Sequence, residues 1–156
     1  ADSAMKAPGS GAVAVCVIGQ VRSFSHPAVW RSIRDNFVRS PAMASLGGAD
    51  VFLRLKLVHE AQRNDSWRAA MQLEPVSTRM VLDHKSDARA VLGAAKCSGD
   101  EMVDVLRLST HQGGALVSSF DSQSCFEQVV AAEAGRGFQY TCVFALSEPK
   151  TGAGRP

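Results

Sequence analysis

Apolar and polar positions along the chain fall into blocks that are typical of strands alternating with helices. Residues 12–18, "AVAVCVI", are almost wholly apolar and rich in β-branched valine, a pattern that predicts a strand covered on both faces. Gly19 is expected to end this strand. A helix then follows, for which Ser25 or His26 is the predicted cap and Pro27 the first residue, because proline loses nothing there by lacking an N–H group.

This helix has one apolar side, formed by residues at helical spacing: Trp30, Ile33 and Phe37. Residues 49–57, "ADVFLRLKL", then predict a second strand, whose apolar side chains begin as a run and later alternate with Arg54 and Lys56. Strand, helix and strand in this order make a βαβ unit, in which the two strands are parallel.

The rest of the chain continues the alternation. The predictions are a helix over 65–73, a strand over 76–83, one or two short helices within 86–107, a loop over 109–119 and a strand over 138–146. Between the loop and the last strand, residues 121–134 predict a helix that is capped by Asp121 or Ser122 and ended by Gly135 and Gly137. Its buried side is predicted to consist of Phe126, Val129, Val130 and Ala134.

Strands that alternate with helices imply an α/β fold, here a three-layer αβα sandwich with a mostly parallel, Rossmann-like sheet. We expect one such domain over residues 12–146. The leader over 1–11 and the tail over 147–156 have no periodicity and little apolar content, so both are predicted to be disordered.

The composition and charge of the chain bear on which kinds of partner it could bind. Hydrophobic residues make up 46% of the 156-residue chain, and 17 basic against 15 acidic residues give a net charge of +2. This even balance gives no basis for a nucleic-acid partner, and no apolar run reaches the ~20 residues that cross a bilayer. No metal site is predicted, because the histidines and cysteines lack metal-ligand spacing. The cysteines are interpreted as buried structural thiols, with a disulfide as the alternative: Cys16, Cys97, Cys125 and Cys142.

The segment "GQVRS" after the first strand is the candidate binding site, because parallel sheets bind ligands beyond the carboxyl ends of their strands. Gly19 allows close approach of the backbone, N–H groups at the next helix start favour an anion, and Arg22 can pair bidentately with a phosphate. Asp83 and His84, at the end of the third strand, are candidate residues of the same rim. The alternative is structural: Gly19 serves the turn, Arg22 pairs with an acidic neighbour, and the strand end is solvated.

Three segments, "VAVCVIGQVRSF", "SIRDNFV" and "GGADVFLRL", resemble the opening of a eukaryotic glycosyltransferase-like family, and a weaker resemblance continues to residue 141. The resemblance implies a GT-A-like α/β fold, a nucleotide-sugar-dependent transferase activity, and a nucleotide beside Gly19, Gln20, Arg22 and Ser23. After Tyr140 the family continues with an acidic and arginine-containing motif, whereas this chain reads "TCVFALSEPKTGAGRP".

A diphosphate leaving group needs a divalent metal or cationic side chains. The missing motif therefore leads us to interpret the chain as the catalytically incomplete, truncated N-terminal half of such a domain. No cofactor is expected for this chain, and Mn²⁺ or Mg²⁺ would belong to the complete family domain. The alternative is a non-catalytic α/β module that binds a small anion or a protein partner. The compartment is left open, with the secretory pathway or Golgi implied only where a membrane anchor precedes this sequence.

Overall fold

The computed structural model describes residues 9–21, 24–82 and 110–147, with side chains for all of these except 110–120 and 147. The predictions for residues 1–8, 22–23, 83–109 and 148–156 lie outside the described residues. The elements follow in this order: β1 Val13–Gln20, α1 Pro27–Ile33, a π-helical turn Arg34–Val38, α2 Pro41–Ser45, β2 Ala49–Leu57, a 3-10 turn Glu60–Gln62, α3 Arg63–Met71, β3 Ser77–Leu82, α4 Thr110–Arg136 and β4 Cys142–Ser147.

Within the described ranges, four strands form one parallel sheet in the order β3-β2-β1-β4. β1 is therefore an inner strand, and its residues from Val13 to Ile18 are at most 8% exposed. This confirms the prediction of a parallel sheet around a strand buried on both faces. The prediction that Gly19 ends the strand is wrong, because Gly19 and Gln20 continue the pairing with β2, opposite Leu55 and Lys56.

Helices cover both faces of the sheet. One face lies beneath α1, α2 and α3, which pack on alternate residues of β1 and β2 such as Val15 and Leu53. The other face lies beneath α4, whose Cys125 and Val129 pack near Phe52. Since successive side chains of a strand point to opposite faces, the almost continuous apolar sequence of β1 fills both cores. The predicted α/β sandwich with a Rossmann-like sheet is confirmed.

The start of α1 agrees with the predicted cap and stripe. The His26 Nδ1 atom accepts a hydrogen bond from the Ala28 amide at 3.2 Å, and Pro27 is the first helical residue. The predicted apolar stripe packs against the core in a half-buried state: Trp30, Ile33 and Phe37.

The long helix α4 differs from the sequence-based prediction at its beginning and on its buried side. Residues 110–119, predicted to form a loop, are helical, and Asp121 lies within the helix instead of capping it. Phe126 and Val130, predicted to be buried, are 53% and 56% exposed. Although α4 is long, neither it nor any other helix in the described ranges is apolar enough over a sufficient length to cross a membrane.

The side of α4 that packs on the sheet is partly polar. Gln128 is buried there; it accepts a hydrogen bond from the Ser77 hydroxyl at 2.6 Å and donates to the Leu53 carbonyl at 3.5 Å. Buried polar groups are tolerated when such partners are present. Of the four residues predicted to be buried, Val129 is buried, whereas Phe126, Val130 and Ala134 are exposed. The prediction is wrong for these three because polar residues of α4 take their places against the sheet and find partners there.

A disulfide joins β1 to α4. Cys16 and Cys125 are both buried, and their Cα atoms lie 6.1 Å apart, within the usual range for a disulfide. The interpretation of these two residues as structural thiols is therefore wrong, and the disulfide alternative holds for them. Cys142 is a free cysteine, and Cys97 lies outside the described residues.

Candidate functional site

The predicted site residues that the structure describes lie at the carboxyl edge of the sheet. Gly19 and Gln20 are the last two residues of β1, and the Val21 amide donates to the Lys56 carbonyl at 2.9 Å. Val21 and Phe24 are 2% and 3% exposed and pack into the core. Val21 and Phe24, the described residues on either side of positions 22–23, are thus fixed at this edge. The other predicted site residues lie outside the described residues: Arg22, Ser23, Asp83 and His84.

The start of α1 uses its own N–H groups within the chain. Pro27 has none, and the Ala28 amide donates to the His26 side chain. The amides of Val29 and Trp30 both donate to the His26 carbonyl, at 3.0 and 3.4 Å. The expectation that these amides hold an anion is therefore wrong. An anion at this edge must be bound by side chains or by the segment that precedes the helix.

A buried ion cluster lies at the same end of the sheet, on the face covered by α4. Asp121 Oδ2 is 2.5 Å from Lys56 Nζ, and Asp121 Oδ1 is 3.4 Å from Arg54 Nε. The three side chains are between 5% and 8% exposed. Gln20 is paired with Lys56 in register, so their side chains lie next to each other on this face. The cluster therefore places cationic side chains one strand away from the end of β1.

The stability of such a cluster is the balance of two opposing energies, desolvation and electrostatic attraction. Removing an ion from water costs several kcal/mol even after relaxation, and close attraction must offset that cost. Asp121 therefore supports both Lys56 and Arg54 at this depth. A lysine ammonium has three N–H donors, so Lys56 can contact Asp121 and a further acceptor together.

None of these three residues is predicted from the sequence to belong to the site. The available signal was the period-two placement of Arg54 and Lys56 in an otherwise apolar strand, which puts both on one face. Nothing local to Asp121 indicated its role, because its partners are more than sixty positions away in the chain, as with the separation of 67 between Arg54 and Asp121.

A groove of about 330 Å³ opens between α1 and α3. Both helices follow the carboxyl ends of strands, so the groove begins near that edge at Ser25 and Asp65 and extends along α3 to Gln72, the residue after its last turn. The half-buried Trp30 indole forms one wall, with the guanidinium carbons of Arg31 and Arg34 at 5.2 and 5.0 Å from its ring centroid, within the range of cation–π attraction. The groove combines this aromatic wall with hydroxyl, carboxylate, guanidinium and amide groups: its lining is Ser25, Trp30, Asp65, Arg68, Ala69 and Gln72.

The opposite, amino edge of the sheet holds a second polar cluster. The Asp50 carboxylate accepts hydrogen bonds from the Gly11 amide at 2.9 Å, from Arg136 Nη1 at 2.9 Å and from the Tyr140 hydroxyl at 2.8 Å. Burial, followed by the hydrogen bond to Asp50, raises the pKa of Tyr140 well above its usual range. These contacts tie the start of β1, β2 and the end of α4 together, so the cluster has a structural role.

In the ranges that the structure describes, no three histidine, cysteine or acidic side chains come together as metal ligands would. Comparisons with protein-family models, with curated proteins and with solved structures gave no match to this chain.

Proposed function

We propose that this chain binds a nucleoside diphosphate, the common part of nucleotide sugars, at the carboxyl edge of its sheet. The observation that carries the proposal is the end of β1. This inner strand of an all-parallel sheet stops at Gly19 and Gln20 and leads into a segment flanked by the buried Val21 and Phe24. Sheets of this kind bind ligands beyond the carboxyl ends of their strands.

The charges at this edge suit a diphosphate. Arg22 lies between the two anchored residues in the sequence, and a guanidinium binds phosphate oxygens through paired hydrogen bonds. Lys56 stands beside Gln20 in the register of β1 and β2 and acts as a compact positive charge. Asp121, in contact with Lys56, keeps this charge in place when no ligand is bound.

The groove between α1 and α3 supports the assignment of a nucleoside to the same region. Its volume of about 330 Å³ falls within the usual range for small-molecule sites. We assign the diphosphate to the segment at the strand end and the nucleoside to the neighbouring groove, where the Trp30 indole offers an apolar surface and Gln72 and Asp65 offer hydrogen-bonding groups.

Calorimetric titration with uridine diphosphate, guanosine diphosphate, uridine and pyrophosphate tests the proposal. Arg22→Ala should weaken diphosphate binding by about 1–2 kcal/mol, roughly five- to thirtyfold, through loss of a charge-assisted hydrogen bond. Arg39→Ala is the matched control, because Arg39 is half exposed and pairs with Glu74 at 3.4 Å. Equal affinities of the two variants for the nucleotide would contradict the proposal.

The same titration separates the nucleotide site from the alternative of a simple anion-binding module. A nucleotide site should bind uridine diphosphate or guanosine diphosphate at least about tenfold more tightly than pyrophosphate, a difference of about 1.4 kcal/mol. Equal affinity for pyrophosphate would favour the anion-binding module and remove the groove from the site.

A further inference from the structure

The disulfide and the buried ion cluster lie on the same stretch of α4. Cys125 is bonded to Cys16 in the middle of β1, and Asp121 precedes Cys125 by four residues, which is about one helical turn. Both residues are therefore on the side of α4 that faces the sheet, and both are buried. On the other partner, Cys16 lies in β1 four residues before Gln20.

The apolar contacts of this side of α4 are modest, and its ion pairs are those of Asp121 with Lys56 and Arg54. Its core against the sheet consists largely of small side chains, with Val129 and the cysteine of the bridge itself packing near Ala14 and Phe52. Gln128 adds two hydrogen bonds, one of them at 3.5 Å. The covalent bond links this turn of α4 to β1, and the ion pairs of Asp121 link it to β2.

We propose that the Cys16–Cys125 disulfide positions Asp121 against Lys56, so that reduction of this bond loosens the carboxyl-edge site. In the oxidised chain, the bridge fixes the helical turn that carries Asp121. In the reduced chain, the described contacts of that turn are its small core, Gln128 and the ion pairs of Asp121 itself, and without the bridge we expect the distance between Asp121 and Lys56 to fluctuate more widely. The effect on ligand affinity rests on the proposed function, whereas the effect on α4 does not.

The chemistry is thiol–disulfide exchange with a dithiol reductant. One thiolate of the reductant attacks a sulfur of the bridge and forms a mixed disulfide, and the second thiol then displaces the remaining cysteine thiolate. Each cysteine gains a proton, and the reductant is oxidised to its own disulfide. Because Cys16 and Cys125 are at most 2% exposed, attack requires local opening of α4, so a folded chain should be reduced slowly.

Hydrogen exchange of the whole chain, measured by mass spectrometry, tests this coupling. Four samples are compared: the oxidised chain, the chain refolded in a phosphine reductant, the double variant Cys16→Val and Cys125→Ala, and the control Cys142→Ser, which changes a cysteine that is free in the described part of the chain. We expect the amides of residues 121–136 to exchange at least about tenfold faster in the reduced chain and in the double variant, with β1 and β2 unchanged. The control should match the oxidised wild type.

Unchanged exchange of 121–136 in the reduced chain, or recovery of Cys16 and Cys125 as free thiols from the oxidised preparation, would overturn the proposal. If the double variant fails to fold, the reduced wild type and the single variant Cys125→Ala decide the outcome. Titration with uridine diphosphate on the same samples should show at least about tenfold weaker binding without the bridge. If α4 loses protection when the bridge is absent but no sample binds the nucleotide, even the oxidised chain, the positioning role of the disulfide stands and the proposed function is rejected.

Discussion

Removing the charge of Asp121 is the perturbation whose effect follows most directly from the structure. Asp121→Asn keeps the size of the side chain but removes the carboxylate that Lys56 and Arg54 share at 2.5 and 3.4 Å. Both cations would then remain at most 8% exposed without this counter-ion. Breaking a buried pair by removing one partner costs about 3–5 kcal/mol.

We expect Asp121→Asn to fall at the lower end of that range, about 3 kcal/mol, because the asparagine oxygen still accepts a hydrogen bond. This loss is a large fraction of the ~5–15 kcal/mol of total stability typical of a domain. The matched control is Asp65→Asn, whose carboxylate is 77% exposed and 3.8 Å from Arg68. An exposed pair of this kind contributes at most about 1 kcal/mol.

Urea unfolding at equilibrium, followed by circular dichroism on the oxidised chain, measures both free energies of unfolding. A double-mutant cycle with Lys56→Gln should give a coupling free energy of about 1–3 kcal/mol between Asp121 and Lys56. A loss below about 1 kcal/mol for Asp121→Asn, or additive effects in the cycle, would refute the description of these residues as a buried, mutually dependent cluster.

Three further predictions concern the frame around the site. Val15→Asp should prevent soluble folding, because an unpaired carboxylate in an inner strand costs several kcal/mol. A variant that is soluble and melts cooperatively would show that β1 is an edge strand and not an inner one. The free energy of unfolding should fall as pH rises above about 10, the pKa of an unfolded tyrosine. In that range folded Tyr140 retains its proton, so the folded state binds more protons than the unfolded state. In denaturant titrations between pH 9 and 11, Tyr140→Phe should make the free energy of unfolding less dependent on pH. Gly11→Ala should lower the melting temperature, since its Cβ would lie 2.7 Å from the Asp50 backbone nitrogen, whereas Gly135→Ala, which meets nothing within 4 Å, should leave it unchanged or raise it.

The parts of the fold that the sequence predicts correctly are those determined by local patterns. β1 and β2 stand out because buried parallel strands are almost continuously apolar, and β2 has the predicted bounds of Ala49–Leu57. The cap at His26 follows from its position before Pro27. In each case the residues that carry the signal are close together in the sequence.

The parts that the sequence mispredicts depend on partners far along the chain. Asp121 resembles a helix cap when its neighbours alone are considered, and only the parallel arrangement of the sheet brings it to Lys56. Gln128 is buried because Ser77, 51 positions away, donates to it. The disulfide closes a separation of 109 residues, and spacing along the chain does not determine which cysteines meet.

The same distinction applies to the candidate site. The segment beginning at Gly19 can be located from the sequence, because a glycine after an apolar run marks the end of a parallel strand within one or two residues. The basic residues that the structure adds, Arg54 and Lys56, are visible only as an alternation within a strand. Their position beside Gln20 requires the register of β1 and β2, which no local pattern specifies.

Amide chemical shifts recorded during titration of the isotopically labelled, oxidised chain with uridine diphosphate or guanosine diphosphate test the central claim most directly. We expect the amides from Gly19 to Ser23 and the amide of Lys56 to shift together, each following the same saturable binding curve. Arg22→Ala should abolish or strongly reduce these shifts at the same ligand concentration. Shifts confined to the exposed side of α4 around Phe126 and Val130, or no shifts at millimolar ligand, would contradict a nucleotide site at the carboxyl edge of this sheet.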